Sequence, residues 1–281
     1  MNLTIPIGAH ISFRAVINGR VVFRDYTPVS DLSNVFNLNK HKKQENGNEN
    51  ENGHENGTEN GNGHVSINEN ENGKTNSHYF DVVIKLYEEG AFSEYLSKLE
   101  LSDKSLTFSN PRNVLGEFNL KNITNVGLIA AGSGITPMIR ILEHFLIEKS
   151  EGEICLLYVN STEKDIIYHD IFNELESKFP KKFRVKYVLS KPSDSWQGYT
   201  GSIFYYIFTF ILTLFPFVLF SNHLIIFLFL GRVNQEMISE VFSFPIASSK
   251  FFICGPSTFN PHVMKLLFNL NFKQHSIVQF S

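Results

Sequence analysis

The sequence predicts a two-part chain: an antiparallel β-domain followed by an α/β domain built on a mostly parallel sheet. Three observations predict it. Residues 10–30, HISFRAVINGRVVFRDYTPVS, alternate apolar and polar on both sides of Asn18-Gly19, the signature of a hairpin with a two-residue turn. From Asn125 onward, short apolar runs alternate with amphipathic ones, which implies β-α-β units with both sheet faces covered. Between these regions, residues 43–75 are nearly all Asn, Glu, Gly, Lys and His, so they carry too little apolar surface to offset chain entropy and are expected to stay disordered.

In chain order, the hairpin comes first. The tract follows, and after it YFDVVIKLY alternates again. A strand–tract–strand order predicts one β-domain with a long disordered loop. VGLIAAG then reads as a buried strand, and PMIRILEHFLIEK carries apolar residues at 138, 141, 142, 145 and 146, the spacing of an amphipathic helix. EICLLYVN is a second buried strand, DIFNELESKF a helix and FRVKYVLS a strand. Further on, VNQEMISEVF reads as helix, KFFICGP as strand, HVMKLLFNL as helix and SIVQF as strand. In such a sheet ligands sit at the carboxyl ends of the strands.

The bulk numbers exclude some classes. A chain of 281 residues is enough for one large domain or two ordinary ones. The net charge of −3 lacks the basic excess of a nucleic-acid-binding protein. The two cysteines, Cys155 and Cys254, both lie in apolar runs, which fits reduced thiols in an intracellular setting rather than a disulfide scaffold. MNLTIPIGAH has no basic segment followed by an apolar one, so no secretory signal is visible. The N-x-S/T triplets at Asn2, Asn56, Asn122 and Asn160 are therefore read as chance.

Three stretches carry chemistry. Gly132-Ser133-Gly134-Ile135-Thr136-Pro137 follows a strand and opens a helix. Its glycines let backbone approach a phosphate, and Thr136 as N-cap with Pro137 as first helical residue would aim the positive helix end at an anion. The alternative is a tight turn before a helix. Arg24-Asp25-Tyr26-Thr27-Pro28-Val29-Ser30 places a cation and an aromatic on alternate strand positions, a set able to clamp a pyrophosphate and stack on a flat ring; the alternative is an exposed strand ending in a turn. Cys254-Gly255-Pro256 ends a buried strand where a parallel sheet holds its ligand; the alternative is a structural buried cysteine. His54, His64 and His78 lie in or beside the polar tract and are read as solvated, so no metal is expected.

The order R-x-Y-T-P-V-S, G-A-F-S, G-S-G-I-T-P-M, C-G-P and a terminal aromatic resembles the ferredoxin–NADP reductase superfamily, and within it the NADH-cytochrome b5 reductase family. LIAAGSGITPMIRIL, STEKDIIYHD, VLSKPSDSWQG and LLFNLNF look most like the reductase domain of the multidomain b5/b5R flavohemoproteins. The resemblance implies a partial antiparallel FAD-binding β-barrel over about residues 1–122, with the disordered tract at about 36–77. A doubly wound NAD(P)-binding domain follows over 123–281. It implies that Arg24, Tyr26 and Thr27 contact the flavin and its phosphates, and that Lys85 and Tyr87 line the same site. Gly90, Ala91, Phe92 and Ser93 would cradle the FAD pyrophosphate from a helix N-terminus. Gly132, Gly134, Thr136 and Pro137 would hold the pyridine-nucleotide phosphates. Asp165 would lie near the adenosine ribose, where a carboxylate favours NADH over NADPH. Cys254, Gly255 and Pro256 would sit beside the nicotinamide, with Cys254 and Thr136 as the catalytic pair, and Phe280 would pack near the flavin. The implied reaction is hydride transfer from NAD(P)H to flavin N5, then single-electron transfers to cytochrome b5 or a similar heme protein. The implied location is cytoplasmic or at the endoplasmic reticulum. A ferric or nitrate reductase flavin module is an alternative member of the superfamily.

Two departures qualify the resemblance. The resemblance starts at IPIGAH, inside the expected barrel, so its first strand or strands are expected to be absent and FAD affinity reduced. Residues about 202–230 are an apolar insertion, with 18 uncharged residues from Ile203 to Phe220. That length meets the criterion for a membrane span. The run interrupts the α/β domain, however, and contains neither Ala nor Gly through Leu230. Its Phe, Leu, Ile and Tyr are products of T-rich codons. Joining WQGYTG to RVNQEMI restores a family-like sequence, so the run is read as a retained intron or gene-model error; a genomic junction lacking GT and AG would reject this. The alternatives are a membrane anchor, or a non-catalytic truncated product.

Overall fold

The computed structural model describes residues 5–38, 62–64, 80–85, 90–99, 106–113, 115, 123–148, 151–200 and 233–280. Tyr87, most of the Asn/Glu tract and the apolar run 201–232 lie outside the described residues. The chain divides into two compact units, Met1–Phe118 with Ile139–Glu143, and Asn119–Met138 with His144–Ser281.

In the first unit, β1 (Ala9–Ile17) and β2 (Arg20–Tyr26) pair antiparallel from Ile17↔Arg20 to Ile11↔Tyr26. Asn18 and Gly19 take positive φ of 50° and 72°, the two-residue turn whose twist matches that of the strands. β3 (Pro28–Val29) leads to the short helix α1 (Leu32–Val35), whose first turn is capped by Asp31. β4 (Asn62–His64) and β3 flank β5 (Asp81–Lys85) in a three-stranded antiparallel sheet. α2 (Ala91–Ser97) follows, and β6 (Thr107–Phe108) and β7 (Arg112–Asn113) both pair with β1. Period-two alternation sends Ile11, Phe13 and Ala15 inward, where they meet Val82, Ile84 and Phe92.

β4 corrects one expectation. Asn62, Gly63 and His64, inside the polar tract, pair with Lys85, Ile84 and Val83. Strand pairing is a backbone interaction and needs no apolar side chain when a free edge is available. The expected tract boundary near residue 36 also falls where Phe36 and Leu38 are buried.

The second unit is a six-stranded sheet of order β11-β10-β9-β8-β12-β13. Its strands are β8 (Asn125–Ala131), β9 (Glu153–Asn160), β10 (Phe183–Leu189), β11 (Tyr199–Thr200), β12 (Ser249–Cys254) and β13 (Ile277–Gln279), all paired in parallel. The helices are α3 (Thr136–Glu148), α4 (His169–Lys178), α5 (Gln235–Val241) and α6 (Phe259–Asn269). On α3 the predicted apolar stripe Met138, Ile141, Leu142, Phe145 and Leu146 is buried. α5 and α6 send Met237, Ile238, Val263 and Leu267 against Ile129, Leu157, Phe251 and Ile253. α4 turns Phe172 edge-on to Tyr158. Asn234 caps α5 by accepting from the Met237 N–H at 2.8 Å. Among the described residues, no helix is long and apolar enough to cross a membrane.

Candidate functional site

The order of the parallel sheet reverses at β8. From there the chain builds outward through β9, β10 and β11 on one side, and β12 and β13 lie on the other. The carboxyl ends of β8 and β12 therefore flank the crevice in which open α/β sheets hold ligands.

Two turns meet there. After β8, Gly132–Ile135 form a 3-10 turn that runs straight into α3. Gly132 has φ +54°, and a Cβ built on it meets nothing within 4 Å, so the turn opens onto free space. A Cβ on Gly134 would lie 2.2 Å from the Cys254 carbonyl oxygen and 3.0 Å from Gly255 N. The two turns thus touch backbone to backbone, and only glycine permits that approach. Gly255 is confined in turn by Phe259 and Ala131.

Thr136 departs from its expected role. It lies within the helical region (φ −58°, ψ −45°), and its hydroxyl donates back to the Ser133 carbonyl at 3.2 Å. The residue before the turn is Ala131, extended and without a side-chain cap. The 3-10 turn has carried the helix start back to Gly132, so two of the four leading N–H groups belong to glycines, with no side chain to cover them. That suits an anion better than a Thr-capped start would.

Cys254 ends β12, and burial pushes its thiol up to about 12. It is a neutral group, not a thiolate. Asp165 sits in the 3-10 turn Glu163–Asp165 after β9. Its Oδ2 accepts from the Thr162 N–H (2.9 Å) and Thr162 hydroxyl (2.8 Å), which closes a capping box. Phe280 is buried; its ring stacks on Phe252 at 6.4 Å and its N–H donates to Ile253 O.

In the first unit, Arg24 is exposed on β2, with one side-chain bond to the Phe23 carbonyl at 2.8 Å. It lines an open cavity of about 530 Å³ with Ser12, Phe23, Asp25, Ser109 and Arg112. Tyr26 is half-buried, its ring 5.0 Å from Phe13 and 6.2 Å from Phe92. Thr27 is half-buried between β2 and β3, and Lys85 is exposed at the end of β5. Gly90 precedes α2, Ala91 is exposed and Ser93 half-buried. Phe92 is a core residue, 3% exposed, and its ring packs with Ile11, Phe13 and Val82.

Sequence reading missed three residues. Tyr158, fully buried on β9, donates its hydroxyl to the Gly132 carbonyl at 3.0 Å and so fixes the turn. Asn160, 6% exposed at the end of β9, sets its carboxamide beside the Tyr158 hydroxyl. Asn260, in the first turn of α6, donates to the Phe280 carbonyl at 2.7 Å. The available signal was the presence of Tyr and Asn at the carboxyl end of the otherwise apolar EICLLYVN. Buried polar groups need partners, and such strand ends are where ligands lie. Among the described residues, no group of three His, Cys, Asp or Glu is placed to hold a metal ion.

Comparison with known proteins bears directly on this crevice. The description "Oxidoreductase NAD-binding domain" matches residues 128–209, which include the end of β8 and the whole Gly132 turn. The chain is 29% identical to NADH-cytochrome b5 reductase 1 of Dictyostelium discoideum over 99% of its length and 71% of that protein's. It is also 27% identical to cytochrome b5 reductase 4 of Rattus norvegicus over its whole length, but spans only 42% of that relative. These similarities point to the cytochrome b5 reductase family, at 27–29% identity over the full chain. Its fold matches the CS-b5R domains of human Ncb5or in the NAD+ form with a TM-score of 0.68 at 25% identity, covering all of this chain and 62% of that one. The antiparallel sheets and the six-stranded parallel sheet are the two parts of a ferredoxin–NADP reductase-type fold. The family is one of oxidoreductases.

Proposed function

We propose that the chain carries electrons from NADH or NADPH through FAD to cytochrome b5 or a similar heme protein. One observation carries the reading: two glycine turns meet at the carboxyl ends of adjacent strands, at the reversal point of the sheet. Bound FAD would supply a hydride acceptor for the reduced nicotinamide and a source of single electrons for the heme protein.

The chain's own residues position and shield. The N–H groups around Gly132 and Gly134, with Thr136 and Pro137 starting the helix, hold the dinucleotide phosphates. Cys254, Gly255 and Pro256 flank the nicotinamide. The Cys254 thiol, kept neutral by burial, excludes water and serves neither as base nor as nucleophile. Arg24, Tyr26, Thr27, Lys85, Tyr87 and the Gly90–Ser93 segment hold FAD in a domain reaching to about residue 122, and Phe280 packs near its ring. Asp165 favours NADH by repelling a 2′-phosphate. A cytoplasmic or endoplasmic reticulum-associated location follows from this partner class.

The test is the purified chain itself, reconstituted with FAD. The reading expects a yellow protein whose flavin band bleaches on addition of NADH and recovers with oxidised cytochrome b5. A colourless protein that no reconstitution loads, or a bound flavin indifferent to both NADH and NADPH, overturns it.

A further inference from the structure

Cys254, Gly255 and Pro256 lie between the end of β12 and the start of α6, where the chain has little hold of its own. Pro256, Ser257 and Thr258 are exposed. Thr258 stands at the N-cap of α6 but makes no side-chain cap bond, although a capping side chain is the usual anchor of a helix start. The turn is nevertheless held in place, because the Cys254 carbonyl and Gly255 N form the wall that Gly134 approaches so closely.

The hydrogen bonds around the turn close a ring. The Phe259 N–H donates to the Pro256 carbonyl at 2.8 Å, which starts α6. One residue on, Asn260 donates from Nδ2 to the Phe280 carbonyl at 2.7 Å. The Phe280 N–H donates to the Ile253 carbonyl at 2.9 Å, one residue before Cys254. The path therefore runs from β12 through the turn into α6, across the Asn260 amide to Phe280, and back to β12, all within the second unit. Asn260 is its one side-chain link. Asn260 is 8% exposed and Phe280 5%, so the bond lies in a low-dielectric interior where it is stronger than in water. For stability alone the amide is a poor choice. Its Oδ1 is buried with no hydrogen-bond partner among the described residues, and an unpaired acceptor costs about as much as the donor's bond contributes. What the side chain adds is geometry.

We propose that Asn260 is a positioning residue: by holding the Phe280 carbonyl it fixes the Cys254–Pro256 turn and so sets the nicotinamide end of the crevice. It acts through Phe280 and needs no contact with the dinucleotide. The inference rests on the oxidoreductase reading above. Loss of the bond frees the start of α6 from the end of β12, the turn between them samples several positions, and the fraction of bound nicotinamide aligned for transfer falls. The Gly132 turn keeps its own bond to Tyr158, and β8 keeps its pairing with β9, so the rest of the dinucleotide is held as before.

The experiment compares the FAD-loaded full chain with Asn260→Leu, an apolar side chain of similar size. The same substitution is also made in a chain ending at Gln279, which lacks the carbonyl that Asn260 holds. Hydrogen exchange of residues 254–259 is read by mass spectrometry, flavin reduction at saturating NADH by stopped flow, and 5′-AMP affinity by calorimetry. In Asn260→Leu, exchange across 254–259 should quicken about tenfold. Flavin reduction should slow about tenfold, the worth of one hydrogen bond. The AMP constant should stay within twofold and the melting temperature within about 3 °C. In the chain ending at Gln279 the substitution should add nothing. Exchange and flavin reduction within twofold of the parent overturn the proposal. An AMP constant that rises as much as the rate falls also overturns it, since the damage is then not confined to the turn. An equal further loss in the shortened chain overturns it as well, since Asn260 then does not act through Phe280. Should Asn260→Leu fail to fold, the same criteria apply to Asn260→Ser, whose side chain is too short to make the 2.7 Å bond. A parent flavin indifferent to NADH means that the oxidoreductase reading has failed, and exchange alone then decides whether Asn260 holds the turn; a reactive parent matched by its variants means that only this inference has failed.

Discussion

Gly134→Ala tests the geometry on which the crevice depends. The added Cβ would sit 2.2 Å from the Cys254 carbonyl oxygen and 2.6 Å from its carbon, about 1.2 Å and 0.8 Å inside ordinary contact, which begins near 3.4 Å. Neither atom can move easily. Cys254 pairs with Ala130 at the end of β12, which is hydrogen-bonded on both sides, to β8 and to β13. The turn on the other side is held by Tyr158 through the Gly132 carbonyl. Relief must come from shifting one turn off the other, an overpacking strain of about 1–3 kcal/mol. For a folded chain of this size that corresponds to a melting temperature lower by roughly 3–10 °C. The same shift misplaces the leading N–H groups of α3, so nucleotide affinity should fall by an order of magnitude or more. Thermal unfolding with and without NAD+ reads both effects. A variant that melts within about 1 °C of the parent and binds NAD+ normally would show that the two turns do not press on each other, and the crevice as described would be wrong.

Gly132→Ala probes the same turn without a clash, since a Cβ there meets open space; φ of +54° in a non-glycine residue should cost about 1–2 kcal/mol. It should therefore melt higher than Gly134→Ala, yet still weaken the nucleotide because the new methyl enters the ligand's space. Tyr158→Phe removes the 3.0 Å bond to the Gly132 carbonyl and should lower stability by about 1 kcal/mol, with a larger loss in NAD+ affinity than a surface Tyr→Phe change gives. The thiols of Cys155 and Cys254 are pushed by burial from 9.0 to about 12. Below pH 9 this has no effect on stability. Above it the unfolded chain releases protons that the folded chain retains, so each thiol lowers stability by up to ~1.4 kcal/mol per pH unit until about pH 12. Urea melts at pH 8 and pH 10 should differ by about 3 kcal/mol, less in Cys155→Ala, and equal midpoints would contradict the burial.

The elements that were legible in the sequence share a cause. A repeating pattern averages over many residues, so Ile11, Phe13 and Ala15 on β1, and Met138 through Leu146 on α3, announced their faces without any knowledge of partners. Asn18-Gly19 was legible because positive φ at both turn positions selects those residue types. What the sequence hid depends on single contacts between distant segments. Nothing in Asn-Gly-His marks β4, because its place is set by the exposed edge of β5. Thr136 looked like a cap because it stands before Pro137, and only the course of the chain through Gly132–Ile135 shows the helix starting earlier. Phe92 looked like part of a phosphate cradle by its neighbours Gly90 and Ser93, yet its ring fills the core.

The same distinction explains why the site was half legible. Its turns are backbone devices, and glycine at fixed spacing is visible in any sequence. The groups that hold those turns are side chains from other strands: Tyr158 reaches the Gly132 carbonyl across 26 positions of sequence, and Asn260 reaches the Phe280 carbonyl across 20. Each is a polar residue in an apolar neighbourhood, which composition alone scores as a defect. In a close-packed interior such a residue persists only when its bonds are made. Tyr158 makes its bond to the Gly132 carbonyl, and Asn160, the second polar group of the same strand, sets its carboxamide against the same phenol. The support of the turn is thus a buried polar group two strands' length away in sequence, which is why the sequence shows the glycines and not what holds them.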